Sequence, residues 1–277
     1  MAQRESVTRA GNYQRCSMYP VRKSAAGARR TKAKPTSDVQ MMLNEKNRRN
    51  HFADLLHCNF TAEDYFLTLS YRDADMPNDA EGAKKDIRNF MRRVNTKRRK
   101  KGLTPVKYVY ITERGEKSGR IHHHVFISGG LSREEMEEIW GKGYANSRRL
   151  QFDENGLAGL VRYSLKSGEY HADEESEKVG YRTWSCSKGL TQPMRRQNDY
   201  RIRKKDVEYI DAHPDDYGYI EKLYPGWRVS RVETTPRSLY DDPEKSPIPR
   251  AHFVTVYMYR ADAPILGQPV RKTQRKE

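Results

Sequence analysis

The chain has 277 residues, 53 of them Lys or Arg against 37 Asp or Glu, for a net charge of +16 and a mean hydropathy of −1.02. That length holds one sizeable domain with extensions or two small ones, and so large a basic excess points to a polyanionic partner, nucleic acid by default. No apolar run is long enough to span a membrane, Cys16, Cys58 and Cys186 lack the spacing of a disulfide framework or a cysteine zinc site and fit a reducing cytoplasm, and no G-x-x-x-x-G-K-[ST] loop marks an ATPase.

Residues 1–50 are Arg-rich and acid-poor, with clusters at Arg22-Lys23 and at residues 29–34. Their composition predicts a disordered basic arm that adds electrostatic grip on nucleic acid, in preference to a transit peptide. Folded structure is expected from residue 51. Residues 65–71 (YFLTLSY) read as a strand. Ala80, Ala83, Ile87, Phe90, Met91 and Val94 then recur at helical spacing, with Lys84, Lys85, Arg88, Arg92 and Arg93 on the outer side. Residues 106–112 and 120–128 make two strands of a hairpin. Ser132 and Glu135 form a capping box for a short helix that stops at Gly141. Residues 144–152 can hold a further strand carrying Arg148 and Arg149, and residues 157–165 a helix carrying Tyr163. The acidic stretch at 173–175 reads as a mobile loop. Helices near 204–212 and 217–223 and strands near 227–232 and 252–259 follow, with a Pro-rich link at 243–249 and a basic tail from Arg271. The order is that of an α+β fold, a central antiparallel sheet with helices packed on it. Residues 51–195 would form the domain, and residues 196–277 a C-terminal extension of undefined role.

Chemistry concentrates at residues 121–126 (IHHHVF). A strand sends His122 and His124 to one face and His123 to the other, which makes a metal pair. Glu113, across the hairpin from His122, is placed to supply the carboxylate that a divalent cation wants, with Asp73 and Asp75 as acidic alternatives. The plain competing reading makes the histidines surface residues and pairs Glu113 with Arg114 or Arg120. Tyr163 and Lys166, three apart, share a helical face. Lys84, Lys85, Arg88, Arg92, Arg93, Arg120, Arg148 and Arg149 are candidate phosphate contacts, and Tyr108, Tyr110 and Trp184 candidate stacking platforms for unpaired bases.

Taken in order, YFLTLSY at 65–71, Glu113 with GRIHHH at 119–124, and Tyr163-Ser164-Leu165-Lys166 resemble the three motifs of HUH-type rolling-circle replication initiators, most like those of bacterial plasmids and small single-stranded DNA phages. The resemblance covers roughly residues 60–195. It implies an RRM-like HUH endonuclease sheet, whose first motif is mainly scaffold, a Mg²⁺ or Mn²⁺ ion held by Glu113, His122 and His124, and Tyr163 as the nucleophile that nicks and rejoins DNA through a 5′-phosphotyrosine. Lys166 would orient the reacting groups. It further implies single-stranded or hairpin origin DNA as substrate, a host helicase and polymerase as partners, and the cytoplasm of a bacterial or phage-infected cell as location. His123 departs from the family pattern, where the central residue is usually apolar, and would make the outer side polar or DNA-facing. Tyr170 stands seven residues beyond Tyr163, so a single nucleophile is expected.

Two rival readings stay open. A relaxase of the same chemistry would carry its tyrosine before the histidines, where Tyr13 and Tyr19 lie, and a single-tyrosine transposase would share the order seen here. A non-catalytic RRM-like nucleic-acid-binding module would read bases with sheet aromatics and have no use for a histidine pair beside a carboxylate.

Overall fold

The computed structural model describes residues 3–21, 38–115, 118–165, 184–235 and 252–263. Lys166, Tyr170, the basic clusters at 22–34, the acidic stretch at 173–175, the Pro-rich link and the tail from Arg271 lie outside the described residues. The chain divides into two compact units. The central unit comprises Cys58–Phe152 and Leu157–Thr191, and the terminal unit Met1–His57, Asp153–Gly156 and Gln192–Glu277.

Chain order begins in the terminal unit with β1 (Gln3–Ala10), β2 (Tyr13–Pro20) and α1 (Asp38–Asn59). It continues in the central unit with β3 (Tyr65–Ser70), α2 (Ala80–Lys100), β4 (Tyr108–Arg114), β5 (Ile121–Ile127), α3 (Arg133–Trp140), β6 (Ala145–Arg149), α4 (Ala158–Ser164) and β7 (Ser185–Cys186). The terminal unit resumes with β8 (Met194–Asn198), α5 (Lys204–Ala212), α6 (Tyr217–Leu223), β9 (Trp227–Thr234) and β10 (Val254–Arg260). The fold is α+β, with two five-stranded antiparallel sheets among the described residues.

The central sheet runs β6-β3-β5-β4-β7. Its two faces follow from the alternation of a pleated strand. One face carries Leu67, Leu69, Tyr110, Ile121, Val125 and Ile127, packed against Ala83, Ile87, Phe90 and Val94 of α2 and Met136 and Trp140 of α3. Trp140 is fully buried, its indole N–H donating to the Ser70 carbonyl at 2.8 Å, with Phe90 and Tyr71 edge-on to it. That combination buries a large apolar ring without stranding its polar atom. Both helices start on side-chain caps: Asp79 accepts from the Gly82 N–H, and Ser132 and Glu135 close the capping box read from the sequence. α3 stops where Gly141 adopts φ +65°, a left-handed conformation that glycine enters without strain.

His123 belongs to this core. It is 0% exposed, held between the Tyr71 hydroxyl at 2.8 Å from Nε2 and the Thr112 hydroxyl at 2.8 Å from Nδ1, with Trp140 nearby. The expectation of a polar or DNA-facing outer side at His123 is therefore corrected. The face opposite the metal pair is covered by α2 and α3, and two hydroxyls satisfy both ring nitrogens.

The terminal sheet runs β8-β1-β2-β10-β9, joining the two ends of the chain. Its apolar face, with Cys16, Met18, Val229, Val254, Val256 and Met258, packs against Ile202 and against Val207 and Ile210 of α5 and Ile220 of α6. The reading of residues 1–50 as a disordered arm is corrected here: β1 and β2 occupy residues 3–20 as a hairpin, and α1 begins at residue 38. The reason lies in polar burial. β1 buries Gln3, Glu5, Ser6 and Thr8, so it shows no apolar alternation, while Arg4 and Arg15 are tied to Asp199 and Asp54. Residues 196–277 likewise do not stand apart, since β8, β9 and β10 are built into the sheet that β1 and β2 begin.

Burial and the two flanking imidazoles pull the pKa of His123 down to about 3. In an unfolded chain a histidine titrates near 6.5, so between these values the unfolded state holds the extra proton, and stability rises with pH across that window. With a chelator present, lowering the pH from 7 to 5 is expected to cost the wild type about 2 kcal/mol more than a His123→Gln variant. Urea unfolding followed by tryptophan emission measures the difference. Equal pH dependence in the two proteins would mean that protons reach the imidazole in the folded state.

Candidate metal and nucleophile site

The opposite face of the central sheet carries the histidine pair. In the β4–β5 ladder Glu113 stands directly opposite His122, and in the β3–β5 ladder Thr68 stands opposite His124 and Phe66 opposite Phe126. Even-numbered residues of β5 and β3 and odd-numbered residues of β4 thus share this face. Glu113 Oε1 lies 2.6 Å from His124 Nε2 and 3.1 Å from His122 Nε2, and the three ligand atoms all fall within 4.8 Å of one another. Divalent cations bound at about 2.0–2.2 Å by nitrogen and carboxylate oxygen place adjacent ligand atoms roughly 3 Å apart. The donor set fits such an ion.

The outer nitrogens support that assignment. His124 Nδ1 is 3.3 Å from the Thr68 hydroxyl and His122 Nδ1 is 3.4 Å from the Arg120 carbonyl. A proton on Nδ1 of His122, donated to that carbonyl, leaves Nε2 with its lone pair facing Glu113, which is the tautomer a metal requires. His124 and Glu113 are almost wholly buried, and His122 keeps about a quarter of its side chain exposed. The cluster is open on the His122 side. Burial opposes protonation of His122, yet the hydrogen bond and charge of Glu113 outweigh it, and its pKa is raised.

Tyr163, from α4, is 46% exposed, with its ring centroid 5.3 Å from that of His124 and 6.4 Å from that of Phe66. Phe66 stacks on His124 at 5.3 Å and 20°, and the Arg148 guanidinium lies 5.0 Å from the centre of the Phe66 ring. One face therefore collects Glu113, His122, His124, Phe66, Tyr163 and Arg148. A phenol, a candidate metal centre and a guanidinium side by side suit a phosphodiester, whose reacting oxygen needs positioning and whose charge needs compensation.

The other candidates fall elsewhere. Lys84, Lys85, Arg88, Arg92 and Arg93 are exposed on α2, which packs on the far face of the sheet. Lys84 and Arg88 meet Glu81, and Arg93 donates to the Ile139 and Trp140 carbonyls at the end of α3. Arg120 pairs with Asp73 and donates to the Tyr71 carbonyl at 2.6 Å, and Arg149 lies over Tyr65 on the core side. Asp75 is paired with Arg72, so neither acidic alternative joins the histidines. Tyr110 is buried in the core and Tyr108 packs beside it, whereas Trp184 is half-buried. Tyr13 and Tyr19 lie on β2, in the terminal unit. The site's aromatic neighbour Phe66 sits in the motif read as scaffold. Its signal is the same alternation that selects the histidines, applied to the paired strand.

No curated protein and no solved structure matches the chain. Residues 64–168, the span that holds all three motifs, match the family model of the replication-associated protein ORF2, and that match supports a replication-initiator role.

Proposed function

We propose that the central unit is a metal-dependent tyrosine DNA endonuclease and strand transferase of the HUH type, which initiates rolling-circle replication of a plasmid or phage-like replicon. The observation that carries the reading is the packing of the exposed Tyr163 ring against His124, itself 2.6 Å from Glu113. A Mg²⁺ or Mn²⁺ ion held by Glu113, His122 and His124 would supply Lewis-acid polarisation of the scissile phosphate. Tyr163 Oη attacks phosphorus, the bond to the 3′ oxygen breaks, and that oxygen leaves as a free hydroxyl while the 5′ phosphate stays on the tyrosine. A returning 3′ hydroxyl reverses the step, so the bond is conserved and rejoining needs no nucleotide. Lys166, three residues beyond the nucleophile, is assigned an orienting role. Arg148 at the edge of the same face is the phosphate contact that geometry favours.

The chain lacks a nucleotide-binding P-loop motif, and unwinding is assigned to a host helicase, with a host polymerase extending the 3′ end. The substrate is single-stranded or hairpin-extruded origin DNA, because an in-line attack needs a flexible strand.

Three outcomes test this. Incubated with Mn²⁺ and labelled single-stranded origin DNA of its own replicon, the wild type should form a covalent protein–DNA adduct that resists denaturing electrophoresis, and Tyr163→Phe should form none; an adduct of undiminished yield from Tyr163→Phe removes the proposed nucleophile. Mn²⁺ should raise the thermal midpoint of the wild type, by the equivalent of about 2.7 kcal/mol at a hundred times Kd. Glu113→Gln or His124→Ala should lose affinity by at least the roughly 10–100-fold that removal of an outer-shell partner alone can cost. Arg148→Ala should weaken binding to single strands of any sequence and reduce the salt slope by about 0.7, the share of one phosphate contact.

A further inference from the structure

We propose that the terminal unit carries its own binding cleft for one nucleotide of a single-stranded DNA. On the helix-bearing face of the terminal sheet, α5 and α6 pack over β10 and β9, while β1 and the edge strand β8 continue past them. The uncovered corner forms a cavity of about 310 Å³. Its floor is Val7 and Met194, and its wall is Tyr224, Pro225 and Trp227. A cavity of this size with an apolar floor and an aromatic side is a small-molecule site by its proportions.

The polar groups at its rim select the occupant. Arg9, Arg196 and Arg201 line it against a single carboxylate, Glu5, which is 2% exposed and already bound to Arg201 and to the Tyr224 hydroxyl. Register aligns Val7 with Arg196 and Arg9 with Met194 across the β1–β8 ladder, so Arg196 projects beside the floor, and it makes no ion pair among the described residues. Arg9 is held by Gln14 at 2.8 Å and lies 5.9 Å from the centre of the Trp227 ring. Guanidiniums over an indole, above an apolar floor, match a planar base joined to a phosphate. The amides of Gln197 and Asn198 add donors and acceptors for a base edge. An acidic peptide would use the charge but leave the aromatic wall without a planar partner.

The test reads Trp227 in the full-length chain, in a Trp184→Phe background so that the remaining tryptophan, Trp140, is sealed in the core. An oligothymidylate of about eight nucleotides, within the usual length of a single-strand site, is titrated in EDTA, where no adduct with Tyr163 forms. The result is thus independent of the nuclease reading. Saturable quenching is expected, with the midpoint moved at least tenfold to higher concentration by Arg196→Glu and less by Arg196→Lys. Arg196 stands exposed on an edge strand, and an unchanged circular dichroism spectrum confirms that the variants fold. Absence of quenching, a midpoint indifferent to Arg196→Glu, or equal quenching by a polyglutamate peptide would each overturn the proposal.

Discussion

The pairing register of β4 with β5 is the constraint on which the candidate site depends. It sets Glu113 opposite His122 and Thr112 opposite His123, and the period of two then decides which histidine meets water and which meets the core. A slip of one residue would send His123 to the open face and bury the pair against α2, leaving charged or hydrogen-bonding groups with no partner. The core enforces the register from behind. His123 finds a hydroxyl for each nitrogen only where Tyr71 and Thr112 stand, and the imidazole filling that place is sealed as firmly as its apolar neighbours. The residue that no metal explains is thus the one that keeps the other two in position.

Placement of the nucleophile follows from a second layer of the same logic. Phe66 on β3 lies against His124, Phe126 and Tyr163 at once, so an apolar ring sets the distance between the helix carrying the phenol and the strand carrying the imidazole. A hydrophobic contact has no preferred proton state and does not compete for the metal. Such a spacer holds a tyrosine near a cation site while leaving its hydroxyl exposed to substrate. Only Arg148, among the eight basic side chains read as phosphate contacts, shares that contact surface.

Much of the central unit was legible because its signals are local. Apolar spacing in α2, the capping box of α3 and the alternation of β5 each sit within a few residues of the structure they specify, and the pair His122–His124 with Glu113 is separated by one hairpin. The terminal unit was not legible in the same way. β1 and β2 pair with β8 and β10, almost two hundred residues or more away in the chain, and bury Gln3, Glu5, Thr8 and Gln14 through hydrogen bonds and ion pairs. Neither composition nor periodicity registers a strand whose inward side chains are polar. His123 failed for a related reason: burial of an imidazole depends on two hydroxyls, one of them on a strand fifty-two residues upstream.

Net charge, finally, located the partner class better than the surface that meets it. Arg15 is spent on Asp54, Arg98 is buried with its guanidinium on the Thr104 and Gly129 carbonyls, Arg120 ties down Asp73, and Arg93 closes the end of α3. Such arginines act as multidentate donors to carbonyls and carboxylates within the fold, a use that the planar guanidinium serves better than lysine. Their charges still raise the long-range potential that draws a polyanion in. Close contact is left to the few cations whose neighbours are aromatic rather than acidic. Arg148 over Phe66 and Arg9 near Trp227 share that arrangement, one in each unit, and in both the ring that orients the guanidinium is also a surface on which a base can stack.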